Sequence, residues 1–163
     1  MFQRLRRLEA GRDPDRFLPP ELSRTLERGG ELPKGRMERK HFQFVLINLD
    51  DTAPDELPVL ISSVVTTLMQ HKATLSSITS SLVVGFLGIP FPKSDSPEAR
   101  RALVKALLAE NGNSLRIAHG QCDGMVGLFG VEGNFRYDGI IPGFSRILRE
   151  LLDRPFGSAA EIA

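Results

Sequence analysis

From residue 41 onward, β-type runs alternate with helical repeats, and that alternation narrows the possible folds more than any other feature of the chain. Residues 41–49 (HFQFVLINL) are rich in aromatic and β-branched side chains and close on Asp50-Asp51, the pattern of a buried strand. Residues 55–70 place Leu57, Leu60, Ile61, Val64, Val65 and Leu68 at helical spacing. Two short strands are predicted over 73–78 and 82–87, separated by serines, and Gly88-Ile89-Pro90-Phe91-Pro92 ends the second. Ser96-Pro97-Glu98 opens a second helix, with serine as N-cap and proline in the first turn, and Asn111-Gly112-Asn113 stops it.

Residues 115–120 and 125–131 predict two strands of a hairpin around Cys122-Asp123-Gly124, because Asp-Gly is a favoured turn pair. A glycine-containing loop then leads to a last helix over 143–152. The order β-α-β-β-α-β-β-α predicts an α+β fold, a ferredoxin-like sandwich. Its sheet is antiparallel-rich, with the helices packed on one face.

Residues 1–40 read differently. They are charged, broken by Pro14, Pro19, Pro20 and Pro33, and carry Gly29-Gly30. Short helices over 2–10 and 20–28 fit this stretch, which reads as a helical or linker segment ahead of a domain over 41–163. A chain of 163 residues suits one domain, and 41% hydrophobic with 25% charged residues is a globular balance. The formal net charge of +1 gives no overall field to attract nucleic acid or an acidic membrane. Cys122 is the only cysteine, so no internal disulfide forms, which agrees with a reducing compartment. The longest apolar stretch, 57–69, is interrupted by Ser62, Ser63, Thr66 and Thr67 and is too short for a membrane span. The N-terminus lacks the apolar core of a signal peptide, so a cytoplasmic location is expected.

Common chemical motifs are absent from the sequence. His41, His71 and His119 lie far apart without zinc spacing. Ser76, Ser77, Ser80 and Ser81 form no GxSxG elbow. Gly124, Gly127, Gly130 and Gly133 recur every third residue but fit no GxxxxGK[ST] loop; glycines in strands mark bulges or close backbone approach.

Val45-Leu46-Ile47-Asn48-Leu49, the stretch 77–90 (SITSSLVVGFLGIP), and 114–120 followed by 125–137 (SLRIAHG, then MVGLFGVEGNFRY) occur in this order. With 15–22 (DRFLPPEL) ahead of them, these segments resemble the catalytic domain of adenylate and guanylate cyclases. The resemblance covers most of residues 15–152. It implies a domain that pairs head to tail, with a nucleotide bound at the interface. In that family two aspartates hold two magnesium ions that activate the ribose hydroxyl and neutralise the triphosphate. Here the matching positions are Asn48 and Ser81, so a pair of charge −2 becomes neutral. Magnesium is a hard cation that wants anionic oxygen, so the exchange costs several kcal/mol of metal binding. Asp50 lies roughly 7 Å further along an ideal strand, too far to substitute without rearrangement.

The other positions implied by the resemblance are mixed. A lysine that reads the purine matches Ser77, and its base-reading partner matches Asp138. A ribose-orienting asparagine matches Ser145, and a transition-state arginine matches Arg149, four residues on and so on the same helix face. Arg149 is the one strong chemical group retained, a vestigial catalytic candidate, with Asp138, Ser145 and Arg149 as candidate nucleotide contacts. No metal and no cofactor is expected. The expected partner is a second copy or another cyclase-like domain, near Phe129, Phe135, Phe144 and Ile147, with ATP or GTP as the ligand class. Complete cyclase domains continue into further strands, whereas 153–163 reads as a tail in which those strands are absent or shortened. The resemblance therefore implies a catalytically degenerate domain that serves as a dimerisation or regulatory module. Its rivals are a half-site partner to an active cyclase and a nucleotide sensor without turnover.

Overall fold

Eight consecutive buried residues, from Phe42 to Leu49, require a strand covered on both faces, and that strand is the centre of the molecule. The computed structural model describes residues 37–90, 95–131 and 134–162. The predicted helices at 2–10 and 20–28, and the segment 15–22, lie outside the described residues. The central strand, β1, spans Glu38–Leu49 and so begins ahead of the expected boundary at residue 41. Helix α1 (Leu57–Gln70) follows, then strands β2 (Thr74–Thr79) and β3 (Leu82–Leu87). Helix α2 (Pro97–Asn111) leads through a 3-10 turn to β4 (Leu115–Val131) and β5 (Asn134–Ile140). Helix α3 (Phe144–Leu152) and a short strand β6 (Ala159–Ile162) complete the order.

The sheet runs β2-β3-β1-β4-β5, all antiparallel, with β6 parallel to β4 beside its first half. The first four strands and two helices form the ferredoxin-like sandwich that the element order implies. Alternation along β1 divides the core. Val45, Ile47 and Leu49 face α1 and α2, where Val64, Leu68, Leu103 and Leu107 cover them. Phe42, Phe44 and Leu46 face the other way, under Ile147 and Leu151 of α3. The helices are therefore not all on one face: α3 closes the side opposite α1 and α2. Of its apolar side chains, Ile147 and Leu151, set four apart, are buried, and Phe144 and Leu148 pack partly buried against the same core.

Two further expectations are corrected. Residues 115–131 are one strand of 17 residues, not a hairpin. Cys122, Asp123 and Gly124 stay in the ladder opposite Phe42, His41 and Lys40. Gly124 is there for room: a Cβ at this position would lie 2.6 Å from the Phe42 ring and 2.4 Å from the Ile140 carbonyl oxygen. The actual hairpin joins β4 to β5, with Val131 opposite Asn134. The tail is also not featureless, since 159–162 adds a strand whose Ala160 and Ile162 enter the core. Helix α2 begins as expected, the Ser96 Oγ accepting a hydrogen bond from the Ala99 N–H at 3.0 Å.

Candidate functional site

The sheet brings Asn48 and Ser81 together. Asn48, 7% exposed, is the penultimate residue of β1, and Ser81 lies in the turn between β2 and β3. The turn is tied to β1 by the Leu49 N–H, which donates to the Ser81 carbonyl at 2.7 Å. Ser80 takes a φ of 52 at the tip of that turn. The Asn48 side-chain amide donates to the same carbonyl at 3.2 Å and contacts the Ser81 Oγ at 3.4 Å.

Its carbonyl is engaged by a residue that sequence reasoning did not single out. Arg116, directly opposite Asn48 in the β1–β4 register, donates Nε–H to Asn48 Oδ1 at 2.7 Å. The signal was present: in LRIAHG the alternation puts Leu115 and Ile117 toward α2, so Arg116 faces the side where Asn48 points. The corner thus joins two neutral side chains and a guanidinium. Such a set does not fit a pair of divalent cations, because the anionic oxygens are missing and a cation already holds the amide oxygen. Asp50 does not fill the gap. Its Oδ1 accepts from the Thr52 N–H at 3.0 Å, and that backbone donor holds its carboxyl below the usual carboxylate range. Among the described residues, no group of three His, Cys, Asp or Glu could hold a metal ion.

A groove of about 250 Å³ opens on the α3 side of the sheet and is lined by Ser76, Ser77, Asp138, Ile140 and Phe144. It brings together, from β2 and β5, Ser77, which stands where the resemblance puts a lysine that serine cannot replace, and Asp138, the expected partner position. The bulge between Leu75 and Ser77 shifts the β2 register here. Asp138 Oδ1 accepts from the Ser76 hydroxyl at 2.5 Å and from the Gly139 N–H at 2.8 Å. A carboxylate fixed in this way can accept a hydrogen bond from an amino group in the groove.

The remaining candidates are not brought to that groove. Ser145 and Arg149 share one face of α3, as their spacing requires, and both are exposed. Neither lines the groove. Of the expected interface residues, Ile147 is 3% exposed and belongs to the core, while Phe144 is partly buried at the groove. The side chains of Phe129 and Phe135 lie outside the described ones.

A second polar cluster lies on the opposite face. Arg100 of α2, 1% exposed, donates Nε–H to His119 Nδ1 at 3.1 Å and reaches the Gln43 carbonyl and the Glu161 carboxylate with its two other nitrogens. Arg101 pairs with Glu161 as well, at 2.9 and 3.1 Å. Burial, and then the Arg100 charge, push the His119 imidazole down to about 4, so it is neutral and accepts from Arg100. Sequence reasoning missed this cluster too. Arg100 precedes Leu103, Val104 and Leu107 by three, four and seven residues, which puts it on the buried stripe.

No protein-family model matches the chain, and no curated protein matches its sequence. Solved structures do match its fold. The adenylyl cyclase CyaB from P. aeruginosa superposes with a TM-score of 0.57 at 14% identity, over 78% of this chain and 79% of that one. The guanylate cyclase domain of RhGC from Catenaria anguillulae, in complex with GTP, gives a TM-score of 0.62 at 10% identity, over 78% and 80%. A dimeric guanylyl cyclase domain of the RhoGC fusion protein from the aquatic fungus Blastocladiella emersonii gives 0.63 at 11%, over 78% and 81%. At such identities the likeness shows the fold, and the fold is that of a nucleotide-cyclase-like domain. Among the described residues, no helix is long and apolar enough to cross a membrane.

Proposed function

Because the chain folds as a nucleotide-cyclase-like domain, we propose that it is a catalytically degenerate one, acting as a dimerisation or regulatory module in intracellular signalling. The observation that carries this reading is the corner at Asn48 and Ser81, two neutral side chains bonded to each other and capped by the Arg116 guanidinium. Catalysis of phosphoryl transfer rests on positioning and on electrostatic stabilisation by bound cations. With no carboxylate at either position, the corner has nothing to recruit them. Pairing is supported by the described state of one structural neighbour, the dimeric fungal cyclase domain. A symmetric homodimer is the commonest closed arrangement of soluble oligomers, and a heterodimer with another cyclase-like domain is the alternative.

The groove favours a second reading, nucleotide binding without turnover. Ser77 and Asp138 line one cavity although they come from different strands. A third reading is a half-site in a mixed dimer, in which this chain would supply Arg149, with Asp138, to a partner that brings the metal-binding aspartates.

One experiment separates these readings. The protein is incubated with ATP or GTP and excess manganese, products are resolved by chromatography, and solution mass and melting temperature are measured in parallel. The expected outcome is no cyclic nucleotide above a heat-killed control and a mass near twice 18.0 kDa. Metal-dependent cAMP or cGMP overturns the degenerate reading, and a strict monomer over a hundredfold concentration range overturns the dimer. A nucleotide-dependent rise in melting temperature without product selects the sensor.

A further inference from the structure

Arg116 does more than bridge to Asn48. The same guanidinium donates to the Leu152 carbonyl at 2.6 Å and the Arg154 carbonyl at 2.9 Å, and it lies over the Phe156 ring at 4.5 Å from the centroid. Leu152 is the last residue of α3, whose final carbonyls have no partner within the helix. A cation at a helix C-terminus satisfies those carbonyls and opposes the negative end of the dipole. Arg116 is therefore at once the partner of Asn48, the cap of α3 and the seat of Phe156. All four of these partners are neutral, so hydrogen bonds and ring contact hold the guanidinium, with Asp50 adding a charge attraction from nearby.

The segment it holds is short and is fixed at a few other points. The Gly157 N–H donates to the Leu115 carbonyl at 2.6 Å, and the Ile117 N–H donates to the Ser158 carbonyl at 3.0 Å. Beyond these, β6 pairs with four residues of β4, and Glu161 is gripped by Arg100 and Arg101. The link between α3 and β6 has little apolar anchorage of its own, since residues 152–155 are exposed and Phe156 is only partly buried.

We propose that Arg116 is a latch that couples the residue at position 48 to the order of the segment from Leu152 to Ile162. The amide oxygen of Asn48 fixes the plane of the guanidinium. That plane then presents its remaining N–H groups to the end of α3 and its face to Phe156. A lysine has three donors but no planar fork, so it cannot hold Asn48 and both carbonyls in one fixed geometry while presenting a flat face to Phe156. Whatever changes at position 48 is thereby transmitted to the C-terminal strand, more than 100 residues away in sequence. This inference stands whether or not the domain binds a nucleotide.

Hydrogen exchange read by mass spectrometry on the full chain tests it, with peptides from α1 as the internal reference. Hydrogen bonds to charged groups contribute about 1.5–3 kcal/mol, so Arg116→Lys should speed exchange in 153–162 on the order of tenfold while α1 peptides stay unchanged. Asn48→Ala should speed exchange in the same segment by a smaller factor, again with α1 unchanged. Unaltered exchange of 153–162 in Arg116→Lys overturns the latch. Unaltered exchange there in Asn48→Ala also overturns it, because Arg116 would then cap α3 without reference to position 48. If Arg116→Lys loses protection throughout, Asn48→Ala decides by the same criterion: a selective rise in 153–162 supports the coupling, and its absence ends it.

Discussion

Under α1 and α2, the sheet buries Val45, Ile47, Leu49, Val83, Leu87 and Ile117 beneath two helices of 14 and 15 residues, whereas the opposite face is closed by the nine residues of α3. Burying Ile147 and Leu151 contributes roughly 3–6 kcal/mol before the entropy of ordering the helix is subtracted. Ile89 and Ile141, with Phe144 and Leu148 partly buried, add to that cover, so the core beneath α3 is no smaller than the one beneath α1 and α2. Polar groups follow the same division. On the α2 side, buried Arg100, Gln43 and His119 satisfy one another, and exposed Glu161 closes the cluster at the surface. On the α3 side, Asn48 and Ser81 form a corner and Ser77 and Asp138 line an open groove. One face lies under two long helices and serves as scaffold, and the face closed by the short helix holds nearly every candidate for function.

The largest effect should come from the scaffold side. His119 has an ordinary value of 6.5 when unfolded and about 4 when folded, lowered first by burial and then by Arg100. Between those values the unfolded chain takes up a proton that the folded chain refuses. Stability is therefore fully present above pH 6.5 and is lost as pH falls toward 4, by roughly 3 kcal/mol at 1.36 kcal/mol per pH unit. Urea unfolding at pH 7 and pH 4 should show this loss in the wild type and much less of it in His119→Gln. The Glu161 carboxyl, held low mainly by its hydrogen bond from Arg101, weakens at acid pH in both proteins and so cancels in the comparison. Equal losses in the two proteins would mean that burial of His119 beside Arg100 does not set the acid sensitivity.

How much of this was legible in the sequence depended on whether a signal was local. The core of β1, the stripe of α1 and the cap at Ser96 were legible because each is written in adjacent residues. The continuity of β4 was not, since Asp123-Gly124 carries a turn signal while the true reason for the glycine is the Phe42 ring, about 80 residues away. Strand β6 was missed because four residues, AAEI, carry almost no pattern of their own. The pairing of Asn48 with Ser81, and of Ser77 with Asp138, was implied by a family resemblance, and the geometry now places each pair together. Arg116 and Arg100 escaped notice although strand alternation and helix periodicity respectively assign each to a buried side. A charge on an inward-facing position was the readable clue in both.

A middle-sized effect separates the two faces by adding the same methyl group to each. At Gly85, on the scaffold side, a new Cβ meets Leu68 Cδ2 at 3.0 Å and Val45 Cγ2 at 3.3 Å, both tips of side chains that can shift. At Gly124, on the α3 side, it meets the Ile140 carbonyl oxygen at 2.4 Å and the Phe42 ring at 2.6 Å. Backbone and a packed ring cannot yield so readily. Gly124→Ala should cost about 1–3 kcal/mol in urea unfolding, the range for an overpacked core, and Gly85→Ala should cost less. The reverse order would show that the α3 face is the looser of the two in its interior as well as in its cover.

The smallest effect on stability is expected at Arg149. It is exposed on α3, four residues after Ser145, and the ion pair nearby, Arg146 with Glu150 at 3.4 Å, does not include it. Exposed pairs of that kind contribute about 0.3–0.5 kcal/mol, and a surface change away from them is usually within about 0.5 kcal/mol. Arg149→Ala should therefore unfold in urea at the wild-type midpoint. A loss above 1 kcal/mol would make Arg149 part of the scaffold and erase the contrast between the faces. A second readout gives the unchanged midpoint its meaning. Melting temperature is compared with and without GTP for the wild type and the variant. If the wild type gains stability with GTP and Arg149→Ala gains none, the exposed arginine faces the nucleotide across a dimer, since it does not line this chain's own groove. If both gain equally, binding rests on the groove at Ser77 and Asp138 alone, and Arg149 is a solvated charge on a helix whose buried side does the packing.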